Sequence, residues 1–87
     1  MTFRVEVDGV VVPDSVTAGT TSHEGAAARV AQFSYAGKII TVETVDGEEL
    51  DRRWFEVVAD AESGRNIVTE VVKTASGNVF PLRGRHD

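Results

Sequence analysis

The chain is predicted to form one small α+β domain, in which a single helix packs on an antiparallel sheet or a half-open β-barrel. Runs of β-branched residues separated by Asp-Gly and Ser-Gly turns predict the strands, and one alanine-rich stretch predicts the helix. The 87 residues, of which 41% are apolar and 26% charged, suffice for one globular domain. We assign residues 1–82 to this domain and 83–87 to a short basic tail. The predicted order is β-β-α-β-β-β-β.

The chain is expected to open with a β-hairpin. Residues 3–7 alternate apolar and polar side chains, as a strand with one buried face does. The Asp8-Gly9 dipeptide predicts a turn, and a short second strand follows over 10–12. Pro13 ends that strand because proline has no amide hydrogen to donate. Residues 13–20 are small and polar, which predicts a loop.

A helix is predicted to begin at Thr21. The segment T-S-H-E matches a capping box, in which Thr21 and Glu24 satisfy each other's amides. Gly37 is placed to end the helix in a left-handed conformation. Four apolar residues share one face and are expected to pack in the core, with the last two as anchors: Ala26, Ala27, Val30 and Phe33.

A central hairpin is predicted over residues 38–58, with its turn at Asp46-Gly47. Two registers remain open. A two-residue loop would oppose Ile39 and Trp54. A three-residue loop would place four apolar residues on one face: Ile40, Val42, Leu50 and Trp54.

Both registers leave apolar residues on each side of the central hairpin. Phe55, Val57 and Ile39 are expected on the face that Trp54 does not share. A strand that is apolar on both sides is covered on both sides. We therefore expect the helix on one face and either further sheet or a binding partner on the other.

The last two strands are predicted over 66–74 and 79–82. Residues 60–64 and 76–78 are rich in polar side chains and glycine, which favour turns. Pro81 predicts that the final strand lies at an edge of the sheet.

Charge and composition narrow the partners. The net charge is −5, and residues 43–62 hold eight acidic residues against two basic ones. Such a balance argues against binding to nucleic-acid phosphates, which requires clustered Lys and Arg. Without cysteine there are no disulfides and no thiolate ligands for zinc. No apolar run approaches the roughly 20 residues of a membrane span, and the N-terminus lacks a signal-peptide pattern. We expect a cytoplasmic protein without nucleic-acid or membrane partners.

Catalytic, cofactor-binding and metal-binding residues are not apparent in the sequence. His23 and His86 are the only histidines, and we expect His23 to face solvent in the first helical turn. No serine stands in a nucleophile motif. Residues 60–64 resemble the start of a calcium loop, but Gly64 and Val71 occupy two positions that need oxygen ligands. The chain is therefore predicted not to be an enzyme.

Two groups of residues are candidates for partner binding. The first is Trp54 with Arg52 and Arg53, since Trp and Arg are enriched where interfaces carry their binding energy. The alternative, which we favour for Trp54, is that it is the main core residue. The arginines would then pair with acidic residues across the ladder, at Glu43, Glu49 or Asp51. The second group is the acidic turn, whose members are Asp46, Glu48, Glu49 and Asp51.

The leading functional prediction is a non-enzymatic protein-interaction or assembly module. Its partner would be another protein or a second copy of the chain, as in a phage-type or accessory protein that docks on a larger complex. One alternative is an inhibitor whose acidic turn imitates nucleic acid. A third is a small enzyme or ligand-binding subunit that uses carboxylates alone.

Overall fold

A computed structural model describes residues 2–47 and 49–82, so Glu48 and the predicted tail lie outside the described residues. The described elements confirm the predicted order β-β-α-β-β-β-β. A single 3₁₀ turn, Asp14–Val16, occurs within the predicted loop. The strands and the helix are β1 (Phe3–Val7), β2 (Val10–Val11), α1 (His23–Ala31), β3 (Ile39–Thr44), β4 (Arg52–Asp60), β5 (Arg65–Lys73) and β6 (Val79–Pro81).

The six strands form one open antiparallel sheet in the order β2-β1-β3-β4-β5-β6. Of the two predicted architectures, the open sheet is therefore confirmed and the half-open barrel is wrong. The final strand lies at an edge, as Pro81 predicts. The described residues have a radius of gyration of 12.7 Å, and none of their helices is long and apolar enough to cross a membrane.

The core lies between α1 and one face of the sheet. Residues directly opposite each other on neighbouring strands share a face, so Val5, Val42, Ile40 and Phe55 point towards the helix in pairs. The small side chains of Ala26, Ala27 and Ala31 let α1 lie close to the sheet. Four large side chains are less than 2% exposed: Phe55, Ile40, Val42 and Val57.

The N-cap of the helix lies one residue later than predicted. Ser22 is the N-cap, with extended backbone angles, and its Oγ accepts a hydrogen bond from the amide of Gly25 at 3.0 Å. The predicted capping box at Thr21 and Glu24 is wrong, because Ser22 places its hydroxyl over the third helical residue and takes the same role.

The helix also ends earlier than predicted, because side chains from elsewhere satisfy its last carbonyl groups. Asn66 on β5 donates Nδ2–H bonds to the carbonyls of Ala31 and Ser34, at 3.1 and 2.7 Å. The Ser34 hydroxyl donates to the carbonyl of Val30 at 3.0 Å. Phe33 lies beyond the helix and is 78% exposed, so its predicted place in the core is wrong. Gly37 does have positive φ, but in the turn before β3.

The central hairpin exists, but both predicted loop lengths are wrong. Strand β3 ends at Thr44 and β4 begins at Arg52, so seven residues connect them. The reason lies in β1: the Val45 amide donates to the carbonyl of Thr2 at 3.2 Å, and Asp46 accepts from the Thr2 amide at 3.0 Å. The chain therefore continues beside the start of β1 through Asp46 instead of turning there.

The register of this hairpin assigns the two faces differently from both predictions. Ile40 pairs with Phe55 on the helix face, and Thr41 pairs with Trp54 on the opposite face. Ile39 lies on the same face as Trp54, so its predicted grouping with Phe55 and Val57 is wrong.

Candidate functional site

The face of the sheet opposite α1, here called the open face, carries Trp54 near its centre. Trp54 is half-buried and lies between Thr41 on β3 and Val71 on β5. The interpretation of Trp54 as the main core residue is wrong, since Phe55 occupies that place. The open face also carries Ile39, Val58 and Ile67. No described helix covers these apolar side chains.

A trough of about 600 Å³ lies around Trp54 on the open face. It reaches from β1 across β3 and β4 to the end of β5. Its walls combine an aromatic ring with charged side chains of both signs, and its lining includes Arg4, Glu6, Glu43, Arg52, Trp54 and Lys73.

Most charges in the trough are already paired within the chain. Arg52 Nε donates to Glu43 Oε2 at 2.8 Å across the ladder, and Arg4 Nε lies 3.3 Å from Glu6 Oε2. Lys73 has no carboxylate within ion-pair distance among the described residues. It is the charge in the trough that is available to a partner, and the sequence reasoning missed it.

The open face is electrically balanced although the chain is acidic. Strand register and side-chain alternation place four basic residues there, and four acidic ones. The excess of five negative charges therefore lies elsewhere on the molecule. The eight residues are Arg4, Arg52, Arg65, Lys73, Glu6, Glu43, Glu56 and Asp60.

The structure separates the predicted Arg52, Arg53 and Trp54 group. Arg52 and Trp54 share the open face, whereas Arg53 pairs with Val42 on the helix face. Arg53 donates two hydrogen bonds of 3.2 Å to the carboxylate of Asp51. Pairing across the ladder is thus confirmed for Arg52 with Glu43, whereas Arg53 instead binds Asp51, two residues before it in the chain. Arg52 remains beside Trp54.

Two of the three described carboxylates of the acidic turn have hydrogen-bond partners within the chain. Asp46 accepts the Thr2 amide, Asp51 binds Arg53, and Glu49 is exposed. The hydrogen bond from Arg53 holds the pKa of Asp51 below its ordinary value. Glu48, the fourth predicted member, lies outside the described residues.

His23 is buried, so the expectation that it faces solvent is wrong. Its Nε2 lies 2.9 Å from the backbone carbonyl oxygen of Asp51 and 3.7 Å from that residue's Oδ1. Its ring meets the ring of Phe3 edge to face, with 5.0 Å between centroids. His23 therefore connects the start of α1 to the central hairpin loop through the Asp51 carbonyl. The ring of Phe3 packs against the His23 ring in the buried position.

A second surface, which the sequence reasoning missed, is an apolar groove between β2 and the C-terminal end of α1. It has a volume of about 380 Å³. Phe33 and Tyr35 project beside it with 78% and 79% of their surface exposed. We use "the groove" for the surface lined by Val7, Val10, Val12, Val16, Val30, Phe33, Tyr35 and Lys38, among others.

Within residues 2–47 and 49–82, no three His, Asp or Glu side chains come together as a metal site would require. Comparison with protein-family models, with curated proteins and with solved structures gave no match for this chain. Geometry and charge therefore carry the functional argument.

Proposed function

We propose that this chain is a non-enzymatic protein-interaction module that binds a partner protein through the open face. The observation that carries the proposal is the position of Trp54: the largest aromatic side chain of the protein is half-buried on a sheet face that no described helix covers. Trp is one of the residue types enriched among interface hot spots.

The open face offers apolar and charged contacts on either side of Trp54. Ile39, Val58 and Ile67 share the face with Trp54, and charged side chains line the trough beside it. Apolar contacts together with polar ones are typical of protein interfaces. Because the open face carries equal numbers of both charges, a partner needs no strong charge of its own to approach it.

The proposed partner is a protein that places an apolar side chain in the trough and a carboxylate near Lys73. The apolar side chain would contact the indole of Trp54, and the carboxylate would pair with the one basic group there that no described acid occupies. In this proposal the chain is a small accessory protein that docks on a larger complex through the open face. We place it in the cytoplasm as part of the proposal, because a chain without cysteine needs no oxidising compartment.

The nucleic-acid mimic is the weaker proposal. A mimic presents spaced carboxylates to a basic groove. In the acidic turn Asp51 binds Arg53 and Asp46 accepts the Thr2 amide, whereas Glu49 is exposed. Few described carboxylates are therefore free to imitate a row of phosphates. The small carboxylate enzyme is weaker still, since no arrangement of the described acidic residues supports it beyond their number.

The test is capture of partners from the source organism's lysate with tagged protein. The wild type is compared with Trp54→Ala and with Lys73→Glu, and each captured protein is identified and then purified for direct binding. We expect both substitutions to weaken binding of the same partner by tenfold or more, because a hot-spot residue contributes about 2 kcal/mol or more.

Two controls make this result specific. Leu50→Ala changes an exposed apolar residue in the central hairpin loop and should leave binding unchanged. A variant with Asn or Gln at Asp46, Glu48, Glu49 and Asp51, assayed with and without nuclease, tests the mimic. Loss of binding in that variant, with full binding by Trp54→Ala and Lys73→Glu, would refute the open-face proposal.

A further inference from the structure

The groove combines a hollow and two projections on a single surface. Val7, Val12, Val16 and Val30 line the hollow. Phe33 and Tyr35 stand at its side and expose more of their surface than any other aromatic residues of the described chain. A twofold dimer pairs the same patch of both copies, so this surface lets the exposed rings of each copy lie against the hollow of the other.

We propose that two copies of this chain form a symmetric dimer through the groove, with Phe33 and Tyr35 of each copy seated against the valine residues of the other. The surface is distinct from the open face, so the dimer goes beyond the proposed function and leaves the Trp54 trough free in both copies.

Charge permits this contact although each copy carries −5. Lys38 is the one ionised side chain in the groove, and it pairs with Asp8 at 2.8 Å, so the pair is neutral. The acidic turn lies at the opposite end of α1, where Asp51 contacts His23. The nine-residue helix separates the two ends by about 13 Å, more than a Debye length at physiological salt.

The area available is small, as in a weakly associating dimer. An aromatic side chain buries about 150–250 Å² when fully covered, so the four exposed rings of two copies remove on the order of 600 Å². The valine surface that the rings cover adds to this area. Interfaces of this size are weak or transient, and we expect a dimer that dissociates on dilution.

Sedimentation velocity over a range of protein concentrations tests the dimer. We expect the wild type to pass from monomer to dimer as concentration rises. Phe33→Ser should weaken association about a hundredfold, since each dimer loses two buried rings. Phe80→Ser is the matched control, because Phe80 is an exposed phenylalanine on β6 at the other edge of the sheet, and it should leave association unchanged.

NMR spectra of the ¹⁵N-labelled wild type at low and high concentration locate the contact without any substitution. Amide shifts of residues 10–16 and 30–38 should change with concentration, and those of residues 54–58 should not. A wild type that stays monomeric throughout would overturn the proposal. Concentration-dependent shifts confined to the open face, or equal effects of the two serine substitutions, would overturn it as well. Neither measurement probes a hetero-partner, so the open-face proposal stands or falls separately.

Discussion

Replacing Phe55 by Ala should remove a large part of the stability of this domain. The side chain is 1% exposed, is the largest of those that are fully buried, and lies on the central strand β4 opposite Ile40. Truncating a buried Phe costs about 3–5 kcal/mol, from lost burial and from the cavity that remains. A domain of 87 residues has a free energy of unfolding of roughly 4–13 kcal/mol. Phe55→Ala should therefore cost a quarter of that stability or more.

Phe33→Ala is the matched control for this substitution. The chemical change is identical, but Phe33 is 78% exposed, and exposed substitutions usually change stability by less than about 0.5 kcal/mol. The periodicity of the sequence places Phe33 in the core, so the pair tests the fold directly.

Urea denaturation followed by circular dichroism measures both free energies, at a protein concentration low enough for the monomer to prevail. We expect the free energies of unfolding of the two variants to differ by at least about 2.5 kcal/mol. A cost of Phe33→Ala equal to that of Phe55→Ala, or a nearly neutral Phe55→Ala, would refute this assignment of the core.

Two further predictions concern the helix start and the central hairpin loop. Ser22→Ala should lower the free energy of unfolding by about 1 kcal/mol in the same assay, because the Ser22 hydroxyl caps the Gly25 amide. Thr21→Ala is the control and should cost little. A larger effect at Thr21 than at Ser22 would show that Thr21 is the N-cap. The hydrogen bond from Arg53 lowers the pKa of Asp51 in the folded protein. The ionised carboxylate therefore stabilises the fold at pH values above the unfolded pKa of about 3.9. This contribution is lost as the pH falls through the lower pKa of the folded state. Asp51→Asn should therefore be less stable than the wild type at pH 7 and should lose less stability on acidification. Urea midpoints measured from pH 7 to 2 test this. Equal changes of the midpoint with pH in the two proteins would contradict it.

The sequence predicts the fold class and the order of elements because both follow from local patterns. Alternation over residues 3–7 and the turn at Asp8-Gly9 appear in the structure as β1 and the turn to β2. Pro81 correctly predicts an edge strand, since the missing amide hydrogen excludes it from a central position.

The errors arise where distant residues determine local structure. Asn66 is 35 positions from Ala31, yet its amide binds the last carbonyl of α1 and the carbonyl of Ser34 beyond it, and Phe33 lies outside the helix between them. Thr2 binds Val45 and Asp46 and so lengthens the central hairpin loop. Neither contact leaves a signal in a window of neighbouring residues.

The sequence predicts only the part of the candidate site that lies on a single strand. Trp54 and Arg52 stand two positions apart on one strand, so their shared face follows from alternation alone. Lys73 joins them only because β5 pairs with β4, and the groove arises only where α1 ends beside β2. Strand order, which the sequence does not encode locally, brings these residues together.

The most direct test of the central claim follows Trp54 when the partner binds. The chain contains one Trp, so protein produced with 5-fluorotryptophan gives a single ¹⁹F resonance that reports on the open face alone. We expect this resonance to shift on addition of the purified partner and to become protected from a soluble paramagnetic agent. A resonance that stays unshifted and fully accessible while the partner is bound would contradict the claim that the open face is the binding surface.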